Sequence, residues 1–418
     1  MIFLVIGVFA ATLVLALAKP GGVPEGVWTT CGALAMLAMG AVHVGDLGAI
    51  YGASHGALLF LVALLVLSAL VYRSGLFEWA ALQAARAARG SGRVLFRNVF
   101  VLGAVVTATL SLDTTAVLLT PVVISFVRRL GVPARPYVVA CAFVANAGSL
   151  ALPVSNLTNL ILAGAFHIPF AAFVARMLPI QVGVLALTYL TLRRHFGPEL
   201  AEFDRTLVEA DTESPIPDPA YFRATVGVLS LALVGYLAAP LFGIEPYAIA
   251  FVAAFVLAVA GVRWGRVDRD VVREISWGVI PFVIGLFVVV QGVEGIGLAA
   301  AAARLLAHAP AGGAARALTA TGAAAVASSL VNNLPATLVA RAAIVEVHGD
   351  VTLVYATLVG TNVGPNLVPF GSLATVLVLT LARERGIRVT GWAFARAGLW
   401  ATPVVCALAA LALGLTSP

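Results

Sequence analysis

The sequence predicts an all-α polytopic membrane protein made of two inverted-topology repeats, with about ten transmembrane helices, two re-entrant hairpins and two broken helices. Three observations predict it. Apolar residues make up 61% of the 418 and charged residues 11%, with a mean hydropathy of +1.04, far outside the range of soluble domains. Apolar stretches of roughly 20 residues, the length that spans a bilayer core as a helix, recur along the whole chain. A polar signature set inside those stretches occurs twice, once in each half.

The first apolar stretch, 2–18, lacks a basic leader and runs into Lys19-Pro20-Gly21-Gly22, so it reads as a retained helix and not a cleaved signal. Spans near 27–43 and 55–72 follow, joined by a Lys-bearing loop (19–26) and a loop without Lys or Arg (44–54). The third span leads into Arg73, Arg86, Arg89, Arg93 and Arg97, which the positive-inside rule makes cytoplasmic, with the N-terminus outside. Arginines three or four apart, beside apolar Leu76, Phe77, Trp79 and Leu82, predict a helix lying in the interface over 76–90.

Residues 94–110 and 116–127 are apolar and flank the tip "SLDTT", with basic residues at both outer ends. A hairpin that enters from the cytoplasm and returns to it fits this pattern. Two short full crossings would put the next arginines on the wrong side. Asp113 then sits at the tip, placed to cap the returning helix. A long span, 136–166, is broken at "ALPVSNLTN", where Pro153 removes a backbone donor and Ser, Asn and Thr side chains compete for the main chain. Unwound backbone of this kind must line a cavity or be buried in protein. The span 170–192 returns to Arg193-Arg194, and the acidic, proline-bearing stretch that follows reads as a solvated cytoplasmic linker, 199–220.

The repeat emerges from the spacing. Asn146-x-Gly148-xxxx-Pro153-x-Ser155-Asn156-Leu157-x-Asn159 aligns without gaps on Asn362-x-Gly364-xxxx-Pro369-x-Gly371-Ser372-Leu373-x-Thr375, and "SLDTT" matches "SLVNN" at almost the same offset. The domains are therefore a first transmembrane repeat, 1–198, and a second, 221–418. Charge inverts the second: spans near 222–240, 246–262 and 276–291 leave Arg263, Arg266, Arg269 and Arg273 inside, and its interfacial segment, 294–310, carries only Arg304 and falls outside. Arg383, Arg385 and Arg388 return to the cytoplasm before a last span to about 416.

Opposed hairpins and broken helices of inverted symmetry describe a secondary transporter with its site near the bilayer midplane. The predicted lining is Asp113, Thr114, Thr115, Asn146, Ser155, Asn156, Asn159, Asn332, Asn333, Asn362, Gly371, Ser372 and Thr375. At the second hairpin Asn333 is the expected cap, with Pro335 tolerated in the first turn. Hydroxyls and amides in membrane helices can also do no more than satisfy broken backbone, but placement on both repeats favours a shared binding role. An aspartate near the bilayer centre costs about 2.5–3.5 kcal/mol and is rarely kept without partner or function. No Lys or Arg lies in the adjoining broken segments, so desolvation favours the neutral form of Asp113 and suits it to carry a proton.

Other chemistries find little support. Cys31, Cys141 and Cys406 are isolated and expected to be small buried hydrophobes; the six histidines do not cluster, so neither a metal nor another cofactor is expected. Phosphate-binding glycine loops and HExxH are absent, which argues against an ATPase, an intramembrane metalloprotease or another enzyme. The basic balance of +6 reports topology and lipid contact, not nucleic acid. Asp46, Glu294 and Glu346 fall near outer ends of spans, where solvent explains them.

"DTTAVLLTPVVI", "GSLALPVSNLTNLI", "LVNNLPATLV" and "GTNVGPNLVPFGSLATVL" resemble the four signature segments of the ArsB-type arsenite efflux permeases of the ion transporter superfamily, over nearly the full chain. The resemblance implies export of arsenite and antimonite across the inner (plasma) membrane, driven by protons, and allows a soluble ATPase partner on the arginine-rich cytoplasmic face. In that family the first hairpin usually reads Asn-Asp, where this chain has Leu112-Asp113, and Asp often stands where this chain has Asn146 and Asn362. Asp113 is thus the only acid of the predicted site. Arsenite at neutral pH is mainly an uncharged trihydroxide, suited to neutral donors and acceptors; a dicarboxylate or sulfate carrier would place Arg or Lys there. The alternative is a sodium/proton antiporter of the same superfamily, with Asp113 and broken-helix carbonyls binding sodium.

Overall fold

The computed structural model describes residues 1–209, 215–310 and 312–416; of the linker 199–220, residues 210–214 lie outside the described residues. Helices account for most of the described chain, and no strand occurs among the described residues. The first half contains α1 (Ile2–Ala18), α2 (Glu25–Ala38), α3 (Asp46–Tyr72), α4 (Leu76–Ala88) and α5 (Gly92–Thr109). A returning arm, α6, follows, formed by Leu112–Thr114, a π-helical stretch Thr115–Leu119 and Thr120–Arg129; then come α7 (Arg135–Ala147), α8 (Leu157–Ala165) and α9 (Phe170–Phe196). The second half repeats the order: α10 (Pro219–Ala238), α11 (Pro246–Arg263), α12 (Val279–Glu294), α13 (Leu298–Ala307), α14 (Gly313–Val331), α15 (Asn333–Glu346), α16 (Val351–Val363), α17 (Leu373–Glu384) and α18 (Gly391–Leu415).

Each helix of the first half therefore has a counterpart nine helices later, and the packing respects the pairing. Helix α2 packs on α12 as its counterpart α11 packs on α3, and α1 packs on α2 as α10 packs on α11. Among the described residues, seven helices are long and apolar enough to cross a bilayer, or eight if the pair 279–294 and 298–307, bent by 72°, counts as one. Five of the seven are full crossings (α3, α9, α10, α11, α18), and α5 and α14 are the first arms of hairpins. The other crossings are the shorter α1 and α2, α12, and the broken pairs α7–α8 and α16–α17, which reach ten only when each pair is counted as one span.

The hairpins enter from opposite faces. At one face the start of α5 meets the start of α7, where Tyr137 donates to the Gly92 carbonyl (3.2 Å), and the end of α9, where Arg135 Nε donates to Glu199 (3.0 Å). The returning arm α6 ends on the same side, its Arg129 near Glu78 of α4 and Arg385 after α17. At the other face Arg176, early in α9, donates to the carbonyls of Leu413 (2.8 Å) and Thr416 (2.9 Å) at the end of α18, whose Gly414 abuts the start of α14. Arg316 and Asp350 join the starts of α14 and α16 there at 3.5 Å. Because α9 runs from one face to the other, the two hairpin bases lie on opposite sides, and the inversion is a property of the fold.

Three details depart from expectation. The interfacial helix ends at Ala88 because Arg89 takes a left-handed conformation (φ 48°). Cys31 is exposed on α2 and not buried, since α2 turns that face away from α1 and α12; Cys141 and Cys406 are buried. The linker is less solvated than its composition suggests, with Leu200 and Val208 buried and Phe203 N donating to the Gly90 carbonyl (2.9 Å).

Candidate functional site

Both helix breaks unwind at the same place and restart in the same way. After Pro153–Ser155, Asn156 is extended (φ −151°) and its side chain caps α8 by accepting from Thr158 N (3.1 Å). After Gly364–Leu367, Ser372 is extended (φ −141°) and caps α17 by accepting from Thr375 N (3.1 Å). A side chain on the buried unwound segment thereby satisfies a free helix N–H.

The two breaks are laced together by a reciprocal exchange. Asn146 Nδ2 donates to Thr375 Oγ1 (2.9 Å), and Asn146 Oδ1 accepts from Ser372 Oγ (2.8 Å). At the equivalent positions Asn362 Nδ2 donates to Asn159 Oδ1 (2.8 Å), and Asn362 Oδ1 accepts from Asn156 Nδ2 (2.9 Å). Each repeat's long-helix asparagine thus grips the restart of the other repeat's broken helix. Asn159 Nδ2 further ties the break by donating to the carbonyls of Ser149 (2.6 Å) and Leu152 (3.0 Å). Sequence reasoning missed two members of this lattice. Asn366 Oδ1 accepts from Asn146 (2.8 Å), and Thr158 Oγ1 donates to Asn362 (2.8 Å). The signal available for Asn366 was an amide two residues after Gly364 in a break with no other polar side chain before Ser372.

Ser155 and Gly371, also equivalent, bind the hairpins. Ser155 Oγ donates to the Ala108 carbonyl near the end of α5 (2.7 Å), and the Gly371 carbonyl accepts from Asn333 N (3.0 Å). A Cβ at Gly371 would fall 2.6 Å from Pro365 Cα, so a side chain cannot stand there without moving backbone.

The hairpin tips correct two expectations. Ser111, not Asp113, caps the returning arm, because it is the extended residue at the turn (φ −175°) and its Oγ accepts from Thr114 N (3.1 Å). Asn332, not Asn333, caps α15: its backbone is at φ 78°, a left-handed value unusual for a side-chain-bearing residue, and its Oδ1 accepts from Leu334 N (3.4 Å). Thr114 and Thr115 are engaged locally. Thr114 Oγ1 pairs with Ser68 Oγ (2.7 Å) on α3, and Thr115 Oγ1 with Thr107 Oγ1 (2.7 Å) on α5.

What remains open is small and specific. Leu112, Asp113, Asn156, Thr158, Asn332 and Asn333 line a cavity of about 50 Å³, walled by Val279 and Phe282 of α12. Asn332 Nδ2 is buried there and has no hydrogen-bond partner among the described residues. Asp113, half-buried, makes no hydrogen bond or ion pair among the described residues. Asp113 also lines a second cavity, about 20 Å³, with Ser68, Thr114, Glu274 and Ser276. The structure thus sorts the thirteen expected residues. Asn146 and Asn362 bond to the opposite repeat and Asn159 to both, whereas Asp113, Asn156, Asn332 and Asn333 converge on one cavity.

Comparison with known proteins follows the same lines. A family model described as ArsB, arsenical pump membrane protein, matches residues 4–415. The chain is 34% identical to the arsenical pump membrane protein of Escherichia coli (strain K12) over 424 residues, covering 98% of both chains. It is 35% identical to that of Yersinia enterocolitica over 426 residues, again with 98% of both covered. Among solved structures, the crystal structure of the Alcanivorax borkumensis YdaH transporter is similar in fold, with a TM-score of 0.59 at 18% identity over 88% of this chain and 87% of that one.

Proposed function

From the premise that this chain belongs to the ArsB arsenical pump membrane protein family, and is therefore a multi-pass inner-membrane transporter for arsenicals, we propose that it exports arsenite or antimonite in exchange for protons. Alternating access would operate between the repeats 1–198 and 221–418, about a site where the hairpin tips meet the broken helices. The observation that carries the reading is the cavity shared by Asp113 and the unpartnered Asn332 Nδ2. Arsenite's three hydroxyls both donate and accept. Asn332 Nδ2 would donate to one oxygen, Asn333 and Asn156 flank the others, and ionised Asp113 would accept from a hydroxyl.

Exchange follows from competition for one carboxylate. Asp113 protonated from outside no longer accepts strongly from arsenite; Asp113 deprotonated on the cytoplasmic side does. Proton and arsenite would then bind in alternation, which is the requirement for antiport. One proton against one neutral solute moves one charge, worth about 2.3 kcal/mol per 100 mV, or roughly a 50-fold gradient. The reciprocal bonds of Asn146 and Asn362 serve in this reading to hold the two breaks in register and to leave the tips free for ligand.

The test is arsenite uptake by everted membrane vesicles under an imposed proton gradient. The account expects uptake that follows the gradient and stops with an uncoupler. Arsenite-independent, sodium-driven proton movement would instead select the sodium/proton antiporter.

A further inference from the structure

The cytoplasmic side of the site holds a second buried carboxylate that no expectation included. Glu25, the first residue of α2, is 7% exposed, and its Oε2 lies 2.7 Å from Lys19 Nζ. Its other oxygen, Oε1, packs at Gly278, immediately before α12, within 3.9 Å of where a Cβ would stand. The next residue, Gly26, is wedged onto the same turn, where a Cβ would fall 2.7 Å from the Gly278 carbonyl and 3.2 Å from Phe282 N. Val279 and Phe282 of that turn are walls of the cavity that contains Asp113. The first turn of α12 thus has Glu25 on one side and Asp113 on the other.

The cation over Glu25 is unusual for this chain. Lys19 is the single lysine among 25 Lys and Arg residues. A neighbouring ion pair, Arg73 with Glu274, is bidentate (2.9 and 2.8 Å), with Asp268 a further 3.4 Å contact. A guanidinium fork holds a carboxylate in fixed geometry, whereas a lysine ammonium is a compact charge on a flexible stem that can swing away. Helices α1 and α12, packed against the start of α2, bring no titratable side chain near Glu25 except Lys19 at the end of α1; Glu294 lies at the far end of α12.

We infer that Glu25 is a second acidic group of the proton path, receiving the proton that Asp113 gives up on the cytoplasmic side and passing it to the cytoplasm. The inference rests on the proton-exchange reading above. The O–H bond at Asp113 breaks and an O–H bond forms at Glu25, with Lys19 releasing the neutralised carboxyl. Glu25 then loses the proton to cytoplasmic water and Lys19 pairs with it again, so proton and charge balance over the cycle without a further reactant.

The test uses purified full-length protein in proteoliposomes, comparing proton-driven arsenite accumulation with exchange of labelled for unlabelled arsenite, which needs no net proton release. Glu25→Gln is expected to lower accumulation about tenfold or more, the scale of a lost proton-transfer group, while exchange stays within about twofold. Lys19→Arg should keep both activities and shift the pH profile of accumulation. Glu25→Asp guards against misfolding, because it must retain coupling if the carboxylate matters. Accumulation by Glu25→Gln equal to the unmodified protein, or an equal fall in accumulation and exchange, overturns the inference. Absence of any gradient response in the unmodified protein would sink the proton reading itself, which is a separate result.

Discussion

The two helix breaks and the two hairpin tips occupy equivalent places in the inverted repeats, but they have diverged differently. At the breaks, Asn146 bonds to Ser372 and Thr375 just as Asn362 bonds to Asn156 and Asn159. At the tips, a serine cap followed by Asp113 in one repeat faces a strained asparagine cap followed by Asn333 in the other. Symmetry persists where buried side-chain amides and hydroxyls have to satisfy one another across the repeats, since losing either partner strands a polar group in an apolar interior. It is broken where one charge suffices, since a second intramembrane acid would add cost and repel the first.

The largest expected effect breaks the asymmetry at the tips. Asp113→Asn should reduce proton-driven arsenite export by about 100-fold, the range of a lost acid–base group, and leave the fold intact because Ser111 provides the cap. Transport assays with thermal melting of the same sample check both halves of that statement. The symmetric breaks come next. Asn146→Ala and Asn362→Ala should destabilise the protein similarly, by about 2–4 kcal/mol, from lost hydrogen bonds near 1 kcal/mol each plus stranded buried partners. Unequal losses by denaturant titration would show that the two grips are not energetic equivalents.

A smaller effect concerns Asn332, held at φ 78°. Asn332→Gly should be more stable than Asn332→Ala by about 1 kcal/mol, because only glycine adopts that backbone without strain, while both should weaken arsenite binding. The smallest lies outside the site. Glu78 on the interfacial helix is raised above the ordinary carboxylate range by burial, and its Oε2 has no partner among the described residues. The folded protein therefore binds this proton more tightly than the unfolded chain, and stability should fall as pH climbs from the ordinary carboxylate value through the raised one. Glu78→Gln should remove that slope, matching the unmodified protein at acid pH and melting higher above it.

Much of this architecture was legible in the sequence because hydropathy, arginine placement and a gapless repeat each constrain the same fold. The spans 222–240 and 246–262 fall within a few residues of α10 and α11. The cluster at the breaks was legible for the same reason: a polar residue kept at matched positions in two apolar repeats has to meet something polar. The caps were not, because Ser111 and Asn332 are distinguished from Asp113 and Asn333 by backbone angle and not by composition. Asn366 was missed since its partner Asn146 is 220 residues away, and Glu25 because its local pairing with Lys19 reads as an ordinary loop ion pair while its packing at Gly278 has no signal in local spacing.

The most direct test of Asp113 as the shared seat of proton and substrate is lumenal pH in proteoliposomes, followed with a trapped dye while arsenite is added outside. Unmodified protein should make the lumen alkaline as arsenite enters, and Asp113→Asn should abolish that change. A lumenal pH response of Asp113→Asn equal to that of the unmodified protein, or arsenite flux through the unmodified protein with no pH change, would contradict it.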